Sequence, residues 1–174
     1  MLIRKAEERD LDGIAAVFSD IHTAEESGAV TIGWQRDVYP TRATAEAALK
    51  REDLFVLEEN DAILGSAIIN QLQVDVYENA SWQYPAADEE VMVLHTLVIS
   101  PKAGRKGYGR AFVAYYEDYA RKHGCPYLRM DTNERNVNAR ALYKKLGYKE
   151  IDIVPCVFNG LKDVRLVLLE KYLG

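Results

Sequence analysis

The stretch from residue 91 to residue 123 constrains this chain more than any other. Val91–Ile99 reads VMVLHTLVI, an apolar run of strand length interrupted only by His95 and Thr96, and Pro101 stops it. A glycine-rich turn follows, Gly104-Arg105-Lys106-Gly107-Tyr108-Gly109. Tyr108, Ala111, Phe112, Tyr115 and Tyr119 then recur at helical spacing, and Gly124 and Pro126 close the segment. This reads as a strand, a glycine turn and a helix over about 107–123. Such a turn lets backbone approach a ligand closely. The first N–H groups of the helix have no partner within it and point at that ligand. A phosphate or pyrophosphate is the expected guest, with Arg105, Lys106 and Arg110 adding charge.

Two familiar phosphate sites do not fit. A P-loop needs Lys and then Ser or Thr after its last glycine, and here Arg110-Ala111 follow Gly109. A dinucleotide fold puts its glycine turn in an early strand–helix–strand unit, whereas three strands and two helices precede this one. Residues 2–8 read as the first strand. Asp10 can cap a helix over 11–25 whose inner face is Leu11, Ile14, Ala15, Phe18 and Ile21. Residues 27–40 form a loop, and Thr41 or Thr44 caps a second helix to about Lys50. Leu54–Glu59 and Ile63–Val74 read as a hairpin turning at Asn60-Asp61, and residues 75–89 as a long loop. After the 91–123 segment come a strand over 127–132, a helix capped by Asn136 or Asn138, and two strands, 148–157 and 164–170, around Asn159-Gly160.

The order β-α-α-β-β-β-α-β-α-β-β predicts an α/β fold with a mixed central sheet of about seven strands and helices on both faces. The 174 residues are one domain's worth, with no repeat or linker, so a single domain over 1–174 is expected. Cys125 and Cys156 form neither a CxxC pair nor a zinc signature, and no metal is expected. No apolar run is long enough for a membrane helix, and the charged N-terminus is unlike a signal peptide, so the expected compartment is cytoplasmic. The net charge of −5 argues against a nucleic-acid partner. That average hides an asymmetry: residues 1–100 carry −12 and residues 101–149 carry +8. The basic block is either a solvated face or a site for a compact polyanion such as a nucleotide.

The run from Asn136 to Tyr148, NVNARALYKKLGY, following the strand, basic turn and long helix, closely resembles the GCN5-related N-acetyltransferase (GNAT) family. It matches that family's Asn-x-x-Ala-x-x-Leu-Tyr-x-Lys-x-Gly-Tyr pattern in full. The family's phosphate turn, Arg/Gln-x-x-Gly-x-Gly/Ala, is matched at Gly107 and Gly109 but not at Gly104. The resemblance implies acetyl-CoA as the donor. It implies backbone groups of Leu97, Val98 and Ile99 along the pantetheine arm, and residues 105–110 (Arg105, Lys106, Gly107, Tyr108, Gly109, Arg110) around the pyrophosphate. Asn136 and Ala139 would contact the CoA arm, and Tyr143 would be the general acid at sulfur. The expected reaction is direct acetyl transfer to a primary amine, with a small-molecule acceptor favoured. A protein or peptide acceptor and a non-catalytic acetyl-CoA sensor are the alternatives. His95 is the candidate base, at an unperturbed pKa near 6.5, on a face shared with Val91, Val93, Leu97 and Ile99; Glu25, Glu26, Glu89 or Glu90 could act through water. Trp34, Tyr39, Trp82 and Tyr84 are the candidate acceptor pocket. The expected assembly is a monomer or homodimer.

Overall fold

The structure is a computed structural model that describes residues 1–103 and 106–174. Among the described residues seven strands form one sheet in the order β1-β2-β3-β4-β5-β7-β6. They are β1 (Leu2–Lys5), β2 (Leu54–Glu59), β3 (Ala62–Asn70), β4 (Val91–Ile99), β5 (Tyr127–Asn133), β6 (Lys149–Phe158) and β7 (Leu161–Tyr172). Neighbours are antiparallel except β4 and β5, which are parallel. The helices are α1 (Leu11–Glu26), α2 (Arg42–Lys50), α3 (Tyr108–Lys122) and α4 (Val137–Lys145). No described helix is long and apolar enough to cross a membrane.

Strand alternation sorts the core onto the two faces. Phe55, Leu57, Ala67, Ile69, Leu128, Met130, Val167 and Leu169 pack with α3 and α4. Leu54, Val56 and Ile68 meet α1 and α2 on the opposite face. Further along that opposite face, among the described residues, none of the four α-helices covers Val91, Val93, Leu166 and Leu168. There the loop after β3 lies over the sheet, anchored by the buried Tyr77 ring. Arg129, itself buried, spreads its guanidinium 4.2 Å from the Trp82 ring and donates to Gln73. Buried Glu170 accepts the Gln83 N–H at 2.8 Å. The long loop is thus a wall of the core.

Three local expectations change. The inner stripe of α3 is Tyr108, Phe112, Val113, Tyr116 and Ala120. Tyr115 and Tyr119 lie on its flank, with ring centroids 5.7 and 5.1 Å from Phe55. Strand β1 ends at Lys5 because Asp10 binds the chain back: its carboxylate accepts the Glu7 N–H and two bonds from Arg4, so it does not cap α1. Strand β3 ends at Asn70, whose Oδ1 accepts the Leu72 N–H at 2.9 Å and turns the chain.

Candidate active site

Strands β4 and β5 pair through only four positions, from Val91 opposite Tyr127 to Leu94 opposite Met130. Both continue beyond that point, β4 held by β3 and β5 by β7, so the sheet opens like a wedge. A cavity of about 320 Å³ fills the opening and reaches both faces. A bulge shapes the β4 side. Ser66 pairs with Val98 and Ile68 with His95, so Thr96 and Leu97 together oppose Ala67. Thr96 sits at φ 50, a region that a β-branched residue rarely adopts, and the Tyr39 hydroxyl bonds its Oγ1. The bulge also reverses the alternation of side chains. Val91 and Val93 join the loop-covered face, while Leu97 and Ile99 pack with the α3 side. The expectation that Val91, Val93, His95, Leu97 and Ile99 share one face is corrected accordingly.

On the α3–α4 side, the cavity is walled by Leu97, Val98 and Ile99, along the edge of β4 that β5 has left, and by Asn136, Ala139, Leu142 and Tyr143. Asn136 caps α4, its Oδ1 accepting the Ala139 N–H at 3.2 Å. The first backbone bond of α3 runs from the Ala111 N–H to the Gly107 carbonyl at 3.0 Å. The N–H groups of Tyr108, Gly109 and Arg110 therefore lie before the intrahelical ladder begins. Gly107 has φ 81 and open space where a Cβ would stand, so its glycine is required by conformation. Gly109 is different: a Cβ there would come within 3.3 Å of Leu142 Cδ2, because α3 starts close against α4. Lys106 and Arg110 are exposed at this end. The Tyr108 side chain turns inward and donates to Glu59, leaving only its backbone facing outward. Gly104 and Arg105 lie outside the described residues.

The opposite side of the cavity carries Trp34, Tyr39, Phe158, Leu161, Val164 and Leu166. The structure separates the four aromatic residues expected to form an acceptor pocket. Trp34 and Tyr39 line the cavity and pack edge to face, with centroids 6.0 Å apart. Trp82 and Tyr84 do not line it. Trp82 is drawn onto Tyr77 and Arg129 inside the covering loop, and Tyr84 stacks with Tyr127 and Tyr172.

His95 lines the cavity, and its Nε2–H donates to Asn70 Oδ1 at 3.0 Å. Burial pushes its pKa down to about 4, with the Asp53 charge opposing, so the ring is neutral over most of the pH range. Glu25 accepts the Ile32 and Gly33 N–H groups and holds the loop after α1, and Glu26 pairs with Arg36 on the surface. The Ala87 N–H donates to Glu90, and Glu89 is exposed, away from the cavity.

Tyr143 is buried, and burial followed by the Asp131 charge pushes its hydroxyl pKa well up, so it keeps its proton at neutral pH. Asp131 itself was not singled out by sequence. It is the first residue of β5 past the wedge and lines the cavity. Met130 packs toward α3, so Asp131 points to the other face, where Tyr77 donates to its Oδ2 at 2.7 Å. Burial pushes Asp131 up to about 6, with the Tyr77 hydrogen bond pulling back. The signal available was a lone carboxylate in an otherwise strand-like run, YLRMDTN, just before the Asn136 motif. Thr96 and Phe158 were missed as well, since neither the bulge nor the β6–β7 turn marks them as lining residues. Among the described residues no cluster of three or more His, Cys, Asp or Glu could hold a metal ion.

A sequence profile of the acetyltransferase (GNAT) family matches residues 15–148. The chain belongs to that family. As a GNAT protein it is an acyltransferase with acetyl-CoA as donor. It is 26% identical over 152 residues to YhfO, an uncharacterised N-acetyltransferase of Bacillus subtilis strain 168, covering 86% of this chain and 91% of that one. Among solved structures, a GNAT-family acetyltransferase of Streptococcus agalactiae superposes with TM-score 0.79 at 23% identity, over 98% of this chain and 94% of that chain. YncA of Salmonella typhimurium, solved with acetyl-CoA, gives TM-score 0.69 at 19% identity, over 100% and 94%. These two share the fold. The GNAT match runs from within α1 to Tyr148 and so includes β4, β5 and α4, but not Phe158, Leu161, Val164 and Leu166 of the acceptor side.

Proposed function

We propose that this chain moves an acetyl group from acetyl-CoA to the primary amine of a small molecule, the two substrates meeting from opposite faces of the sheet. The observation that carries the reading is the wedge between β4 and β5, a single cavity walled on one side by α4, against which the start of α3 packs at Gly109, and by aromatic residues on the other. The residues suit the donor. The edge of β4 at Leu97–Ile99 is free of β5, so an extended amide-bearing arm can add to it as a strand would. The leading N–H groups of α3, beside exposed Lys106 and Arg110, suit a pyrophosphate. Leu97, Ala139 and Leu142 give apolar walls to an acyl thioester.

Tyr143 is the group assigned to sulfur. Its raised pKa keeps the phenol protonated until negative charge develops on the departing thiolate. A backbone N–H near Val98, on the stretch of β4 that β5 has left, is the group assigned to polarise the thioester carbonyl. A small acceptor is favoured because the acceptor side is walled by Trp34, Tyr39 and Phe158, packed edge to face on one another. The test is calorimetric titration with acetyl-CoA, paired with thiol release on a panel of small amines and peptides. Micromolar acetyl-CoA binding with thiol release on a small amine is expected. Release on peptides alone would refute the small-molecule reading, and absence of acetyl-CoA binding would refute the whole.

A further inference from the structure

The acceptor side of the wedge has an unusual charge inventory. Its walls combine apolar and aromatic side chains, Ile21, Trp34, Tyr39, Phe158, Leu161 and Leu166, with the uncharged polar groups of Thr31, His95, Thr96 and Asn133. Among the described residues lining the whole cavity, no Lys or Arg occurs, and Asp131 is the sole carboxylate. It is fixed by Tyr77 from beneath and stands where β5 leaves β4, beside the Tyr39–Thr96 pair. From this arrangement we infer that the acceptor is a primary amine on an uncharged, mainly apolar body of about one ring or a short alkyl chain, and that Asp131 pairs with its ammonium and takes its proton. The inference rests on the acetyl-transfer reading and names the acceptor class for that same site.

The argument is one of matching charges in a partly enclosed recess. An ammonium entering this recess loses hydration and finds one carboxylate to replace it. An amino acid would bring its own carboxylate into a wall with no cation to receive it. A polyamine would bring a second ammonium with no second carboxylate. Each mismatch costs the desolvation of an unpaired charge, so the apolar monoamine is the class that leaves nothing unpaired. An aminoglycoside would bring several ammonium groups to the single Asp131 carboxylate.

The proton inventory closes. The ammonium gives one proton to the Asp131 carboxylate, and the freed nitrogen lone pair attacks the thioester carbonyl carbon. The new N–C bond forms, the carbonyl electrons move to oxygen and return, and the C–S bond breaks. Sulfur takes the Tyr143 proton. The second nitrogen proton restores the phenol through water, and the Asp131 proton leaves to solvent, so each turnover releases one proton.

The groups that face Asp131 do not compete for this role. Tyr77 from the covering loop, Tyr39 from the loop before α2, Tyr143 from α4 and Cys156 from β6 are all pushed by burial toward their neutral forms, Tyr39 to about 12. His95, on β4, is neutral above about pH 4. Asp131, pushed up to about 6 by burial, is ionised at pH 7.5 and is a stronger base than an ordinary carboxylate.

The experiment is a specificity panel on the full chain with acetyl-CoA, using 2-phenylethylamine, hexylamine, spermidine, L-phenylalanine, kanamycin and an alanine-initiated peptide. The kcat/KM for the first two is expected to exceed that for every other member by 100-fold or more. Binding is read separately, by titrating 2-phenylethylamine into the protein saturated with CoA at pH 7.5. Asp131→Asn should weaken that binding at least tenfold and leave acetyl-CoA affinity unchanged; the amide keeps an acceptor for Tyr77, and circular dichroism checks the fold. In the parent protein the ascending limb of kcat/KM should lie near pH 6 for both amines and hexylamines of lower basicity, and vanish in Asp131→Asn. Preference for spermidine, L-phenylalanine, kanamycin or the peptide overturns the inference while acetyl transfer stands. So does undiminished amine binding in a folded Asp131→Asn, or acetyl-CoA binding with no panel amine used. Absence of acetyl-CoA binding instead removes the transfer reading, and the inference with it.

Discussion

Asp131→Asn should make the protein more stable at pH 8 while impairing it as an enzyme. The carboxylate is held at about 6 against an ordinary value of 3.8, because burial disfavours its charge more than the Tyr77 bond favours it. The folded state therefore binds this proton more tightly than the unfolded state does. For a carboxyl raised in the folded state, stability is intact below about pH 3.8, falls between 3.8 and 6, and stays lowered above 6. The difference of roughly two pH units corresponds to at most about 3 kcal/mol, since one unit is about 1.4 kcal/mol. The cavity is open to water, so about 1–3 kcal/mol is expected, or roughly 2–12 °C in Tm for a chain of this size. The amide is neutral at every pH and still accepts from Tyr77. Melting of parent and variant at pH 4 and pH 8 measures it. The gain should be present at pH 8 and should shrink toward zero at pH 4, where both side chains are neutral. A variant no more stable at pH 8, or one whose advantage is the same at both pH values, would refute the reasoning that burial charges a cost to ionised Asp131.

Tyr143→Phe should keep the fold and acetyl-CoA affinity and lower kcat by about 10²-fold, read by steady-state thiol release beside calorimetry. Gly107→Val should weaken acetyl-CoA binding at least tenfold in titration, because φ 81 is closed to a β-branched residue and the start of α3 must shift. Phe112→Ala, which empties a fully buried site between α3 and the sheet, should cost about 3–5 kcal/mol in chemical denaturation. Arg129→Ala should loosen the loop over β7 more than it lowers Tm, and faster hydrogen exchange confined to residues 71–90 would show it, since Arg129 is held between Trp82 and Gln73.

The element order was legible because each element carries its own local signal. The apolar run of β4, the 3.6-residue period of α1 and the Asn159-Gly160 turn, with φ 50 and 82, need nothing distant to be read. The glycine turn before α3 and the Asn136 cap of α4 were legible for the same reason, each being contiguous in sequence. The acceptor side was not. Its lining comes from the loop after α1, from β5 and from the β6–β7 hairpin, brought together only by strand order. Trp82 and Tyr84 looked like pocket residues because large aromatics in a long loop suit a pocket. The buried Arg129 and the Tyr127–Tyr172 stack claim them instead. The α3 stripe was misplaced by a turn's fraction because Tyr115 and Tyr119 are apolar enough to read as core, while Tyr116 reaches it by donating to the Met92 carbonyl at 2.6 Å.

The bulge at Thr96 explains why His95 and Asp131 divide the chemistry as they do. Period-two alternation carried through β4 would set Leu97 and Ile99 on the face of His95. One extra residue moves them to the α3 face, where they wall the cavity, and leaves His95 at the bend, half-buried and bonded to Asn70. The same burial acts on Asp131 across the wedge. Its effect is to favour the neutral form of each: the imidazole loses its proton and the carboxyl gains one. At about 4, His95 is too weak a base to take a proton from an alkylammonium, while at about 6 Asp131 is both ionised and usable. A histidine on the strand before the glycine turn is the expected base from sequence. The inferred ammonium partner is instead on the facing strand, because an imidazole that is already neutral offers an incoming cation no charge to pair with.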